Sequence, residues 1–307
     1  MLKKALALSL VFSCFGSVAF AQEREESMVM SVGDSLRRNW NFTLFSVVSQ
    51  ANMKPGKTQT DGRSQESYTY ISANYKINAD QKLSVRVPFL FNTAGQNAYG
   101  DQVKQDAELS DIHIAYANYD LGYIGDVDLA GNAKLYLPTS KYAENSGMIA
   151  KLRLEMFFDY SIGRFSYISY GIKPDFFWQS RTASFNNDIP QFPDGNYVTD
   201  PRQTNKQASL EQYLEVAADI NKYFSFKPRI GLEEDWYHSS AVEQLEARHV
   251  TKAFYQVAFA IRPPMRGLNF LVGATNTTIL NSYRGKDIAF GQPENTQYFL
   301  MTNAFLF

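Results

Sequence analysis

The sequence predicts an all-β chain: a transmembrane, antiparallel, up-and-down β-barrel of about twelve strands, with both termini on one side of the membrane. Three observations lead there. From Asn39 onward, apolar and polar residues alternate with a period of two, the pattern of a strand with two unlike faces. The connections alternate as well: those after odd-numbered strands are long and polar, those after even-numbered strands are turns of a few residues, as in membrane barrels. Finally, 19 Tyr and 23 Phe bring the aromatic content to 15%. Yet no segment after the N-terminus approaches the roughly 18 consecutive apolar residues that a spanning helix needs. Many aromatics without a helical span describe a barrel with aromatic girdles and a polar interior.

The N-terminus is a separate unit. Lys3 and Lys4 precede the apolar run Ala5 to Phe20, and Ala19-Phe20-Ala21 forms an A-x-A site before Gln22. This is the layout of a secretory signal peptide over 1–21, cleaved after Ala21. Cys14, the sole cysteine, raises the alternative of a lipoprotein signal. Phe12 stands two residues before it, where a small residue is needed, and the apolar run continues past it. With the signal removed, 286 residues remain, the formal charge is −3, and no disulfide is possible. That near balance gives no support for a nucleic-acid partner. Residues 22–38 are charged and read as a short N-terminal arm, leaving 39–307 as the barrel.

The strands follow in order. In strand one, Trp40, Phe42, Leu44 and Val48 share a face opposite Asn41, Thr43 and Ser49. After a polar loop, strand two covers Tyr68 to Ile77 and turns through Asn78-Ala79-Asp80. In strand three Leu83, Val85, Val87 and Phe89 alternate with Ser84 and Arg86, and a long loop occupies 92–109. Strand four, Asp111 to Leu121, turns at Gly122–Gly125 into strand five, Val127 to Leu137, with Asp128 and Lys134 on its polar face. A loop centred on Glu144–Gly147 leads to strand six, Ile149 to Ile162. There Leu152, Leu154 and Met156 oppose Lys151, Arg153, Glu155 and Asp159. Gly163-Arg164 turns into strand seven, where Ile172 and Phe176 oppose Lys173 and Asp175.

The longest loop, 181–206, is rich in proline. Strand eight, Leu210 to Ile220, sets Leu214 and Val216 against Glu211, Tyr213, Glu215 and Asp219. Strand nine, Phe224 to Tyr237, carries Lys227, Arg229, Glu233 and Asp235 on its polar face. Strands ten (Val250 to Ile261), eleven (Leu268 to Thr277) and the closing strand (Asn295 to Phe307) complete the set. Pro88, Pro174 and Pro228 fall inside strands, where each removes a ladder hydrogen bond, so bulges or strand ends are expected there.

The closing strand, NTQYFLMTNAFLF, carries no charge and has Phe299, Phe305 and the terminal Phe307 separated by even-numbered steps. It resembles the C-terminal signature of Gram-negative outer-membrane β-barrels. The resemblance implies an outer-membrane location with periplasmic termini. It also implies that the barrel-insertion machinery reads Phe299, Phe305 and Phe307, with the terminal phenylalanine toward lipid. LSVRVPFLF at 83–91, SDIHIAYANYDL at 110–121 and AKLYLPTSKY at 133–142 further resemble transporter-like barrels of the MetA-pathway phenol-degradation family. Ser110-Asp111 stands where that family has Gly-Asp, and Pro138-Thr139-Ser140 where it has Pro-Thr-Gly. That resemblance implies uptake of hydrophobic or aromatic compounds.

A charge facing lipid at mid-membrane costs roughly 2–4 kcal/mol, so the charged faces point inward. The expected lumen-lining and selectivity residues are Arg86, Lys134, Arg153, Glu155, Lys173, Asp175, Glu211, Glu215, Lys227, Arg229 and Glu233. Twelve strands leave a bore narrower than that of the 16–18-stranded porins. Two functions fit. One is a channel for passive uptake of small solutes through a narrow charged lumen. The other is a non-conducting scaffold, its interior closed by salt bridges, whose long extracellular loops bind a surface partner. No catalytic site is expected. His238-Ser239-Ser240 near His249 invites comparison with outer-membrane phospholipase A, but the chain has no His-x-Ser-Asn-Gly motif. Phosphate-cradling loops and zinc motifs are absent from the sequence, and neither a metal nor another cofactor is expected.

Overall fold

In the computed structural model, residues 39–52, 62–96, 102–162, 166–183, 204–239, 249–265, 267–280 and 291–306 are described. The expected signal peptide, N-terminal arm, Phe307, the Gly163-Arg164 turn and most of the loop 181–206 lie outside them. Fifteen strands follow in order: β1 Trp40–Ala51, β2 Glu66–Lys76, β3 Gln81–Asn92, β4 Gly95–Gln96, β5 Gln102–Val103, β6 Asp106–Leu109, β7 His113–Ile124, β8 Val127–Tyr136, β9 Met148–Ser161, β10 Ser166–Gln179, β11 Lys206–Asn221, β12 Phe224–Tyr237, β13 His249–Ile261, β14 Leu268–Ile279 and β15 Thr296–Phe305. Twelve of these, β1 to β3 and β7 to β15, form a closed antiparallel barrel in sequence order. Pairing of β1 with β15 joins the ends. Closure leaves no barrel edge to recruit another chain.

The remaining short strands occupy the expected loop 92–109. β4 and β5 pair with each other, and β6 extends the barrel wall by pairing with the far half of β3. β6 and β7 together oppose β3, and the break between them at 110–112 faces Pro88, whose carbonyl accepts from the Ser110 N–H. Pro174 and Pro228 behave otherwise than expected. Both lie in mid-strand with the register intact, and the ladder skips one neighbour: β9 opposite Pro174 and β11 opposite Pro228. The partner strand on the other side carries the pairing. The missing N–H is therefore absorbed without a bulge.

The expected loop around Glu144–Gly147 is largely a helix, α1 Lys141–Ser146. Ser140 caps it, its hydroxyl accepting from the Ala143 N–H at 3.0 Å, and Gly147 ends it at φ 65. Asn205 donates to the Ser146 carbonyl at 2.7 Å and to the Arg181 carbonyl at 2.9 Å, tying α1 to the long-loop end of the barrel.

The apolar faces of β3, β7 and β9 point outward: Leu83, Val85, Ile114, Leu154 and Met156 are exposed on the barrel's outer surface. The closing strand corrects the sequence reading. Phe299 is buried inside the barrel with Met301 and Asn303, whereas Tyr298, Leu300 and Leu306 face outward. Asn303 therefore does not meet lipid. Phe299 packs inward in an interior cluster with Phe45, Val47, Tyr70, Leu271 and Met301.

One interior row shows how the wall accommodates large rings. Phe157, Gly171, Tyr213, Gly231 and Phe254 are direct ladder partners on β9 to β13, alternating ring and glycine. A Cβ at Gly171 would lie 2.4 Å from the Tyr213 ring, and one at Gly231 would lie 2.5 Å from that of Phe254. The far ends of both rings lie over glycines. Gly171→Ala is expected to destabilise the barrel by about 1–3 kcal/mol, the usual effect of overpacking, read as a lower urea midpoint for loss of the folded band on unheated gels.

Candidate functional site: the barrel interior

Alternation fixes which side chains enter the barrel, and register fixes which of them meet. The eleven expected lumen residues all point inward, and most are paired across neighbouring strands. On β8 and β9, Lys134 donates to Glu155 at 2.6 Å, and Asn132 donates to the second oxygen of the same carboxylate at 3.0 Å. Between β9 and β10, Arg153 grips Asp175 with two parallel N–H bonds, the fork geometry that suits guanidinium and carboxylate. Lys173 of β10 reaches Glu211 of β11 at 3.5 Å. Arg229 of β12 donates from Nε to Glu215 of β11 at 3.0 Å.

A denser cluster closes the long-loop end. Lys206 lies 2.6 Å from Asp235 and 3.7 Å from Glu233, and Lys252 lies 2.7 Å and 3.3 Å from the same two carboxylates. Two cations and two carboxylates thus form one network on β11, β12 and β13. Lys206 was assigned to the loop 181–206 by its polar surroundings, but it opens β11 and faces inward. Arg86 sits over the Tyr70 ring with its guanidinium carbon 5.0 Å from the centroid, and Lys227 is buried on the inner wall of β12.

Burial decides what this interior is. Lys134 and Glu155 are each 1% exposed and Asp235 is 0% exposed, values typical of a packed core. In the described conformation these charges are buried, and those of β8 to β13 are largely paired between neighbouring strands, as a dry setting requires. An open aqueous bore would wet them.

Two further features of the inner wall were not read from the sequence. The interior cluster of Phe45, Val47, Tyr70, Leu271, Phe299 and Met301 sets an apolar patch among neutral polar side chains such as Thr43, Asn74, Thr275 and Asn303 on the wall from β13 through β15 to β2, against the charged wall of β8 to β13. A second row links Arg86, His113, Tyr136, Lys151 and Phe177 as direct partners on β3 and β7 to β10. His113 stacks on Tyr136 at 4.5 Å and the Lys151 ammonium lies 3.8 Å from the Tyr136 ring centroid. Both depend on cross-strand register, for which the sequence carries no local signal.

The histidines do not assemble a reaction centre. His113 is inside the barrel, while His249 stacks on Trp236 at 5.3 Å and lies 3.5 Å from Glu234 at the rim. His238 hydrogen-bonds through its backbone to Asn205, and Ser240 lies outside the described residues. Among the described residues, no group of three or more His, Cys, Asp or Glu side chains is placed to hold a metal.

A closed twelve-stranded barrel, apolar outside and charged within, is the outer-membrane β-barrel fold. The sequence itself matches no protein-family model and no curated protein. Among solved structures, it is similar to the COG4313 outer membrane channel from Pseudomonas putida F1, with a TM-score of 0.52 and 11% identity over 87% of this chain and 96% of that one. It also aligns with the translocator domain of autotransporter NalP from Neisseria meningitidis, with a TM-score of 0.45 and 10% identity over 95% and 97% of the two chains. At these identities the likeness is one of fold.

The buried pairs give a direct prediction. Glu155→Gln leaves Lys134 without its carboxylate and is expected to destabilise the barrel by about 3–5 kcal/mol, whereas replacing both partners with apolar residues of similar volume restores most of the loss. A double-mutant cycle from urea unfolding in micelles measures both.

Proposed function

We propose that this chain is an outer-membrane channel for small organic solutes, exported with cleavage after Ala21 and inserted with both termini in the periplasm. The single observation that carries this reading is the divided inner wall. A wall of ion pairs on β8 to β13 gives way, from β13 to β2, to a wall of neutral polar residues around an apolar patch. A scaffold needs only a satisfied interior, which neutral hydrogen bonds supply with less desolvation than rows of ions. An interior with one ionic wall and one neutral wall bearing an apolar patch matches solutes that have both polar and apolar parts. The COG4313 protein of similar fold is named as a channel, which fits this reading. On this reading the described conformation, with its inward charges buried, is the closed one.

A specific observation favours a second reading, the non-conducting scaffold. The lumen charges are nearly inaccessible and paired, so the same wall serves a barrel that never opens. Partner binding would then fall to the long loops.

Single-channel recording of the purified chain in planar bilayers separates the two. The channel reading predicts brief, small openings. It also predicts that reversing Arg153 or Arg229 to Glu lengthens the openings and shifts selectivity toward cations, because each reversal breaks a pair and adds negative charge to the bore. A folded barrel that stays silent, with or without the reversals, selects the scaffold.

A further inference from the structure

The centre of the alternating ring–glycine row has a property that structural packing does not require. Tyr213 rests one face on Gly171. Over the same ring stand two cations: the Arg229 guanidinium carbon is 4.1 Å and the Lys173 ammonium 4.7 Å from its centroid. They come from opposite sides of the row, Lys173 from β10 and Arg229 from β12. Like charges converging on one ring repel each other, and the arrangement persists because each cation has a carboxylate, Glu211 for Lys173 and Glu215 for Arg229. The Lys173–Glu211 contact, at 3.5 Å, is well beyond the 2.7–2.9 Å of a strong charge-assisted bond.

The clustered rings of Phe157, Tyr213 and Phe254, with two cations over the middle one, form a shelf with an apolar floor and a cationic cover. The closed barrel's own carboxylates occupy the cover. We propose that this shelf is a solute-binding site for planar aromatic carboxylates. The solute's carboxylate displaces Glu215 and Glu211 from Arg229 and Lys173, while its ring replaces those cations over Tyr213. The proposal rests on the transport reading for its purpose but not for its test. The neutral Gln256, the ladder partner of Arg229 on β13, adds no competing charge on that side.

The test is equilibrium dialysis of radiolabelled benzoate against the purified chain in lipid nanodiscs, with empty nanodiscs as the control for partition. Saturable binding of benzoate is expected, at least about tenfold tighter than benzamide, which lacks the charge, and than acetate, which lacks the ring. Tyr213→Leu, and the neutral pair Arg229→Gln with Glu215→Gln, each weaken benzoate by about tenfold or more while Tyr213→Phe retains it. If benzamide or acetate binds as well as benzoate, or if nothing saturates, the site is refuted without any variant. If the variants fold and bind benzoate normally, it is refuted as well. Saturable binding in a barrel that never conducts keeps the site and removes the transport reading. Conductance without saturable binding does the reverse.

Discussion

The structure depends on one constraint: a strand between lipid and a narrow interior has only two faces, and every charge must take the inner one. The charged side chains of that inner face are nearly inaccessible, so those charges end in a dry space. A dry space tolerates ions only when they are paired. Lys134 with Glu155, Arg153 with Asp175, and Arg229 with Glu215 follow from that requirement, as does the four-membered network of Lys206, Lys252, Glu233 and Asp235. Outside, where lipid replaces water, Leu154, Met156 and Leu300 need no partner.

Register turns this constraint into a pattern. Antiparallel neighbours place inward residues side by side, so charges on adjacent strands meet without long side-chain excursions. Glycine at Gly171 and Gly231 lets rings lie against the wall instead of crossing the bore. The apolar sector around Phe45 and Met301 then packs as a small core of its own, beside rather than within the ionic wall. The result is an interior with two chemistries and little free space. Its pairs hold the closed state, and their disruption is the natural route to any other.

Much of the fold was legible because period two survives local noise. Phe224–Tyr237 has the boundaries read from sequence, and most other strands differ from the reading by a few residues at their ends. The inward charges were legible for the same reason, since lipid leaves them one place to go. Three things were not. Alternation names two faces without saying which is inner, and the uncharged closing strand offered no ion to decide: a terminal phenylalanine toward lipid would carry Phe299, an even number of steps away, outward too, whereas it packs inside. The helix Lys141–Ser146 did leave a signal, Ser140 before it and Gly147 after it, but its brevity hid it among loop residues. The Gly171–Tyr213–Gly231 row and the apolar sector arise only when distant strands align, which no local window reveals.

The central claim is that the mid-barrel is a dry, ion-paired plug in the closed state. Substituted-cysteine labelling tests it most directly, in a Cys14→Ser chain reconstituted in liposomes and treated with a charged, membrane-impermeant thiol reagent. Cysteines at Ser84 and Ala115, both buried on the inner wall, are predicted to react about a hundredfold more slowly than one at exposed Asn78 in the β2–β3 turn, since burial denies the reagent access to the thiolate. Labelling at the inner positions as fast as at the turn would mean a water-filled bore and would contradict the account.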